Sequence, residues 1–203
     1  MKETLEAVLG RDVSRETLDK LELYEAMLRD EAARQNLVSR GTLEQLRDRH
    51  ILDSAQLLRF EPHTGASWAD IGSGAGLPGI VVAILAEGPV TLVEPRRLRA
   101  EFLHKAVQAL NLSATVLCMK AERAEGKFDV ITARAVGPLG QLLKISHHLS
   151  TRNSVWVLPK GRNAESEVAE VKRAWQGVFH VERSVTDADS GIVVAKDVKA
   201  RGR

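Results

Sequence analysis

The chain is 203 residues long, 44% apolar and 28% charged, the proportions of a soluble globular protein rather than of a disordered, collagen-like or low-complexity one. Lys and Arg number 29 against 27 Asp and Glu, a net charge of +2, which excludes a polyanion-binding tail and confines any nucleic-acid contact to a local patch. The lone cysteine, Cys118, excludes an internal disulfide and a cysteine metal cage.

Glu3 and Glu6 interrupt the start of the chain where a secretory signal needs an apolar run. The longest apolar run, residues 80–86, is far short of the roughly 20 residues of a membrane span. The expectation is a reduced, cytoplasmic protein, monomeric and without a membrane partner, folded as one domain over 1–203.

In chain order, residues 3–9 predict a short helix, and after a break at Gly10 a longer one starts with Ser14 as its cap and carries Leu18, Leu21, Tyr24 and Leu28 at helical spacing. A third helix is predicted over 43–59. Breaks containing Pro and Gly at 61–66 and 88–89 bracket the first strand and its helix. Strands are then expected at 68–71, 90–93, 115–118, 128–133 and 154–158, alternating with helices at 79–86, 97–110, 139–149 and 164–175. Such alternation implies a parallel sheet covered on both faces. Residues 178–185, a polar turn and 192–195 read as a hairpin that brings the final strand in antiparallel. The whole is a doubly wound α/β core over 67–196 under a helical cap over 1–60.

The stretch Asp70-Ile71-Gly72-Ser73-Gly74-Ala75-Gly76-Leu77-Pro78-Gly79 is a strand running into closely spaced glycines and then a helix, the arrangement that binds a nucleotide-like cofactor at the carboxyl edge of a sheet. Gly74, Gly76 and Gly79 fit a dinucleotide fingerprint, with Glu94 about 20 residues on. Gly72, Gly74 and Gly76 behind Asp70 instead fit an S-adenosylmethionine loop. Charge favours the second: a carboxylate at the strand end repels a pyrophosphate and attracts a cationic sulfonium and ammonium. Register favours it too, because the strand ends at Gly72. Glu94 closes the second strand, where an acid can accept from both ribose hydroxyls. Ala121 and Glu122 follow the third strand, where adenine would lie.

Absences narrow the chemistry. The fourth strand ends in Thr132-Ala133-Arg134-Ala135, without the Asn/Asp-Pro-Pro-aromatic tetrad used on exocyclic amines. Cys118 is expected inside a buried strand, which removes it as a nucleophile for base C5 methylation. His147-His148 at a helix end reads as a polar terminus rather than a metal pair, and no metal site is expected. An acceptor that needs no general base, such as guanine N7, suits this chain, with an in-line displacement driven by alignment.

Three segments together carry a family resemblance: Arg49-His50-Ile51-Leu52-Asp53-Ser54 after Asn36-Leu37-Val38-Ser39; the run from Asp70 to Ile80 with its Leu77-Pro78-Gly79 continuation; and Arg134 after Phe128-Asp129-Val130-Ile131, with Lys160-Gly161 after the fifth strand. Over residues 14–196 the chain resembles the small-subunit ribosomal RNA methyltransferase G family, also called glucose-inhibited division protein B. The resemblance implies a Rossmann-like seven-stranded class I methyltransferase sheet, S-adenosylmethionine as cofactor and methylation of guanine N7 at position 527 of bacterial 16S ribosomal RNA, free or in the small subunit. It also implies cofactor contacts at Gly72, Leu77, Ala121, Glu122 and Arg134, to which the residue reading adds Asp70, Gly74 and Glu94.

One departure stands out. The family often has a Trp-Asn pair in the second helix where this chain has Glu31-Ala32. For RNA, three basic spots are candidates: Arg96, Arg97 and Arg99 with Lys105; Arg49 and His50 with Arg47; and Lys160 with Arg162. The competing readings are an NAD-dependent oxidoreductase and a non-catalytic RNA-binding assembly factor that keeps its cofactor loop.

Overall fold

The computed structural model describes residues 2–35 and 37–202, so Asn36 lies outside the described residues. Helix α1 (Lys2–Leu9) is followed by α2 (Arg15–Ala32). The Ser14 hydroxyl accepts from the Thr17 amide at 3.1 Å, satisfying one of the amides that a helix N-terminus leaves open. Leu21, Tyr24 and Leu28 form a fully buried stripe on α2. The opposite face carries exposed pairs such as Arg15–Asp19 and Lys20–Glu16, which contribute little to stability. At the end of α2, Glu31 accepts from the Gln35 side chain at 2.8 Å, and Gln35 also reaches the Leu98 carbonyl at 3.1 Å. The end of this cap helix is held by a polar tie.

The helix expected over 43–59 is not continuous. Helix α3 (Arg40–Glu44) gives way to a π turn at Leu46–Ile51, a short α4 (Leu52–Ala55) and a 3-10 turn at Gln56–Phe60. In the π turn the His50 amide reaches back five residues to the Gln45 carbonyl at 3.3 Å. One extra residue in a turn shifts the facing of every side chain after it, a change that hydrophobic spacing does not register.

Seven strands form one sheet: β1 (Trp68–Ile71), β2 (Val90–Val93), β3 (Ala114–Leu117), β4 (Phe128–Thr132), β5 (Ser150–Gly161), β6 (Trp175–Arg183) and β7 (Gly191–Ala200), in the order β3-β2-β1-β4-β5-β7-β6. The first five are parallel, and β7 lies antiparallel between β5 and β6, as the hairpin reading expected. Strand β1 is buried at all four positions, which is why it reads as a continuous run rather than an alternating one.

Helices α5 (Gly79–Leu85) and α6 (Arg97–Ala109) cover one face and share an apolar cluster with the cap, in which Leu5, Leu21, Leu46 and Leu57 join Ile80, Phe102, Val130 and Val155. Helices α7 (Leu139–Ser146) and α8 (Ala164–Val171) cover the other, around Ile131, Leu143, Trp156 and Val168. Helix α8 stops at Val171, and Trp175, expected in that helix, starts β6 instead.

Cys118 corrects another expectation. Strand β3 ends at Leu117, and Cys118 just beyond it is exposed, because β3 is an edge strand. The strand order reverses between β1 and β4, and the crevice at such a switch point is where open α/β sheets take their ligands.

Candidate functional site

The loop after β1 begins at that switch point. Its Gly72, Gly74 and Gly76 have φ of +69°, +57° and +92°, a left-handed series that side-chain-bearing residues resist. The amides of Gly72 and Ser73 donate to the Val93 carbonyl at 2.8 and 3.1 Å, which ties the loop to the end of β2. A Cβ on Gly72 would come within 2.7 Å of Val136 Cγ2, whereas one on Gly74 would meet nothing nearer than 3.7 Å. Gly72 is therefore held by packing, whereas a Cβ on Gly74 would make only ordinary contacts, with Arg99 Nη1 and the Gly72 carbonyl.

Asp70, at the end of β1, is buried, and its Oδ2 accepts from the Gly79 amide at 3.0 Å. Its Oδ1 is buried with no hydrogen-bond partner. Burial pushes this carboxyl up to about 7, against the pull of the Ser73 hydroxyl, the Gly79 amide and the nearby Arg134 charge. The cap touches the loop directly: the hydroxyl of Tyr24, buried on α2, donates to the Ala75 carbonyl at 2.8 Å.

Glu94 is buried as a brace. Its Oε2 accepts from the Gly74 amide at 2.8 Å and its Oε1 from the Arg96 amide at 2.9 Å. Each carboxylate oxygen can still accept a further bond. Leu77 is buried beneath the loop, Ala121 is buried in the 3-10 turn after β3, and Glu122 beside it is exposed. The Arg99 guanidinium reaches over the loop, with Nη1 3.7 Å from where a Gly74 Cβ would stand.

Beyond the ends of β4 and β5 lies a cleft of about 490 Å³ whose lining includes Arg49, His50, Asp53, Arg134, Lys160 and Glu167. Arg134 Nη1 donates to His50 Nδ1 at 2.9 Å, joining the sheet edge to the π turn of the cap. Burial first, and then the Arg134 charge, lower the His50 ring to about 4, so it is neutral at physiological pH. Ala135, next to Arg134, has φ +57°, a strained conformation for a residue with a Cβ and one that collects at functional sites.

The other cations of this cleft are already paired. Arg49 meets Asp187 at 2.6 Å, and Lys160, whose side chain is 8% exposed, meets Glu167 at 3.0 Å and donates to the Gly137 carbonyl at 2.5 Å. Arg47 pairs with Glu25, and Arg162 with Asp189.

Comparison with known proteins decides the family. A family model described as rRNA small subunit methyltransferase G (GidB) matches residues 17–192. A protein of Zymomonas mobilis named ribosomal RNA small subunit methyltransferase G is 47% identical over 95% of this chain and 93% of its own length. One of Erythrobacter litoralis with the same name is 48% identical over 88% of each. The chain belongs to the rRNA small subunit methyltransferase G family.

Its fold is that of class I methyltransferases. A ribosomal protein L11 methylase of Lactobacillus delbrueckii subsp. bulgaricus superposes with a TM-score of 0.59 at 14% identity, over 73% of this chain and 78% of that one. A Thermus thermophilus 16S rRNA N2 G1207 methyltransferase, solved with AdoMet and guanosine, gives 0.54 at 19% identity over 73% and 43%.

Within this rRNA methyltransferase, the residues singled out in the sequence gather in two places. Asp70, Gly72, Gly74, Leu77 and Glu94 build the loop, and Arg49, His50, Arg134 and Lys160 converge on the cleft although 111 residues separate Arg49 from Lys160. Arg96 and Arg97 stand apart at the start of α6, exposed, with Arg97 paired to Glu101 at 2.7 Å.

Tyr24, Asp53, Gln56 and Asp187 were missed by sequence reasoning. Gln56 donates to Ser184 at 3.0 Å and accepts from the Val185 amide at 2.9 Å, and Thr186 bonds Asp53, so the cap is fastened to the turn between β6 and β7. The only signal for Tyr24 was a polar tip on an apolar stripe, in the one tyrosine of the chain. Among the described residues, no helix is long and apolar enough to cross a membrane.

Proposed function

We propose that this family member transfers the methyl group of S-adenosylmethionine to N7 of guanine 527 in 16S ribosomal RNA, using the glycine loop for the cofactor and the adjoining cleft for the base. The observation that carries the reading is the adjacency of the two through Arg134: its charge acts on Asp70 beneath the loop, and its guanidinium bonds His50 in the cleft.

The loop fits the cofactor on its own evidence. Asp70 Oδ1 is a buried acceptor with no hydrogen-bond partner within reach, suited to a cationic ligand, and at Gly74 a Cβ would clash with no protein atom. Asp70 would serve the methionine half, Glu94 the ribose, Ala121 and Glu122 the adenine, with Gly72, Gly74, Leu77 and Arg134 shaping the remainder. When bound, S-adenosylmethionine supplies an electrophilic methyl group. The protein then has to align and desolvate, because N7 already offers a lone pair and no proton need be removed. Glu94 fixes the loop, Tyr24 fixes it from the cap, and Arg134 holds the boundary between the two sites. Arg96, Arg97 and Arg99 would meet the RNA backbone, as phosphate contacts that position without reading sequence.

Residues 1–60 act as a cap on a cofactor-binding core over 67–196, and their shared apolar cluster supports treating 1–203 as one domain. The test is incorporation of labelled methyl into small subunits lacking the modification, followed by mapping of the modified base. Label at guanine N7 is expected. Tight binding of S-adenosylhomocysteine with no incorporation would leave an assembly factor, and binding of NADH in its place an oxidoreductase.

A further inference from the structure

The hydrogen bond between Arg134 and His50 fixes more than the position of two side chains. A guanidinium can only donate, so His50 Nδ1, 2.9 Å from Arg134 Nη1, must present a lone pair. The ring is then neutral and carries its proton on Nε2, a tautomer assigned by the network. The nearest carboxylate, Asp53 Oδ2, is 3.9 Å from the same Nδ1 and does not take its place. Nε2 has no hydrogen-bond partner among the described residues, and His50 lines the cleft beside Arg134. Arg49 and Lys160, the cations flanking it, hold carboxylates of their own.

We propose that His50 is a specificity-determining residue, its Nε2–H donating to O6 of the target guanine. The inference rests on the methyl-transfer reading given above. The edge of guanine that carries N7 offers O6 as a second acceptor, whereas adenine offers an N6 amino group, a donor, at the same place. A donor there accepts guanine and meets adenine donor to donor. The common arginine fork to O6 and N7 together is closed to this reaction, because N7 must turn its lone pair to the methyl carbon.

A neutral donor also suits the charge change. The N7–CH3 bond forms as the sulfonium–CH3 bond breaks, the sulfur leaves with the bonding electron pair as a neutral thioether, and the base becomes a cation. An imidazole holds O6 without placing another positive charge against that cation. The tie to Arg134 keeps the ring in the tautomer that has Nε2–H.

The test is single-turnover methylation of small-subunit RNA carrying guanosine or 2-aminopurine riboside at the target, the second lacking O6 but keeping N7. The full-length protein is used, with S-adenosylmethionine saturating. His50→Asn keeps an acceptor near the Nδ1 position and loses the distal donor, while His50→Gln keeps an amide donor near the Nε2 position. The wild-type protein should prefer guanosine by about five- to tenfold, the size of one neutral hydrogen bond. His50→Asn should abolish that preference by slowing the guanosine reaction alone, and His50→Gln should retain part of it. Equal slowing on both RNAs in His50→Asn, with the preference intact, would overturn the assignment and leave His50 a support for Arg134. A wild-type protein that binds S-adenosylhomocysteine but methylates neither RNA would overturn the methyl-transfer reading itself, and this inference with it.

Discussion

The hydroxyl of Tyr24 donates to the carbonyl of Ala75 at 2.8 Å, across 51 residues of sequence. A cap helix thereby holds the middle of the glycine loop, between two residues with left-handed backbones. The cap is fastened to the glycine loop as well as covering the sheet.

Tyr24→Phe tests that link. The ring packing survives, but a buried carbonyl loses its donor, at a cost of about 1–3 kcal/mol. The melting temperature should drop by several degrees, and the dissociation constant of S-adenosylhomocysteine should rise several-fold by calorimetry. A lower melting temperature with unchanged affinity would reduce the bond to a structural one.

Asp70 gives a pH dependence whose sign can be worked out. An unfolded Asp ionises near 3.8, and here the carboxyl is pushed up to about 7. Between those values the folded protein binds the proton and the unfolded chain does not, so this contribution to stability is full below pH 4 and fades as pH rises toward 7. Asp70→Asn should flatten that decline in ligand-free denaturation curves. Affinity for S-adenosylmethionine should rise through pH 7 in the wild-type protein, as the carboxylate forms opposite a cation, and should stay level in the variant. Parallel pH profiles for the two proteins would remove Asp70 from the methionine half.

Two glycines should fail for different reasons. A Cβ on Gly79 would collide with Leu92 and Asp70, so Gly79→Ala should cost about 1–3 kcal/mol through overpacking. A Cβ on Gly74 would make only ordinary contacts, and Gly74→Ala carries the left-handed penalty of about 1–2 kcal/mol. Its larger loss should be in cofactor affinity, because the new methyl enters the ligand's volume. Denaturant melts beside ligand titrations separate the two, and normal binding by Gly74→Ala would make that loop a turn and nothing more.

Arg134→Ala should weaken S-adenosylmethionine with RNA absent, and Arg134→Lys should rescue it only in part, because an ammonium lacks the guanidinium fork. Unchanged cofactor affinity with methylation lost would move Arg134 to the base side of the boundary.

The basic residues divide by their partners. Arg96→Ala and Arg97→Ala, at exposed positions, should each reduce the slope of log affinity for RNA against log salt by about one and leave the melting temperature in place. Lys160→Met should do the reverse. Its ammonium is drawn in against Glu167, and removing it strands that carboxylate. A full salt-slope change in Lys160→Met would show that the pair opens to meet phosphate.

The sheet was legible because its strands are short apolar runs punctuated by Gly and Pro, and β1, β2 and β4 fell close to where that pattern put them, while β6 and β7 have the expected antiparallel pairing but run longer. The 43–59 segment was not, because the π turn at Leu46–Ile51 adds a residue without changing the apolar spacing much. Cys118 misled because β3 looks like its neighbours in composition, and being an edge strand is a property of sheet order. In the site, the loop could be read locally, since Asp70 to Gly79 are adjacent in the chain. The cleft could not. Its closure rests on pairs such as His50–Arg134 and Arg49–Asp187, between residues 84 and 138 positions apart, and polar pairing over that distance leaves no periodic trace.

The place of β7 between β5 and β6 bears on how the chain is made. The strand that seals the sheet is synthesised after both of its neighbours, so Val155, Trp156, Val157 and Leu158 on β5 have no partner on that side while residues 162–200 are still emerging. At roughly 5–20 residues per second the nascent protein carries that apolar edge for a few seconds, the interval in which an unpaired strand is open to pairing with another chain.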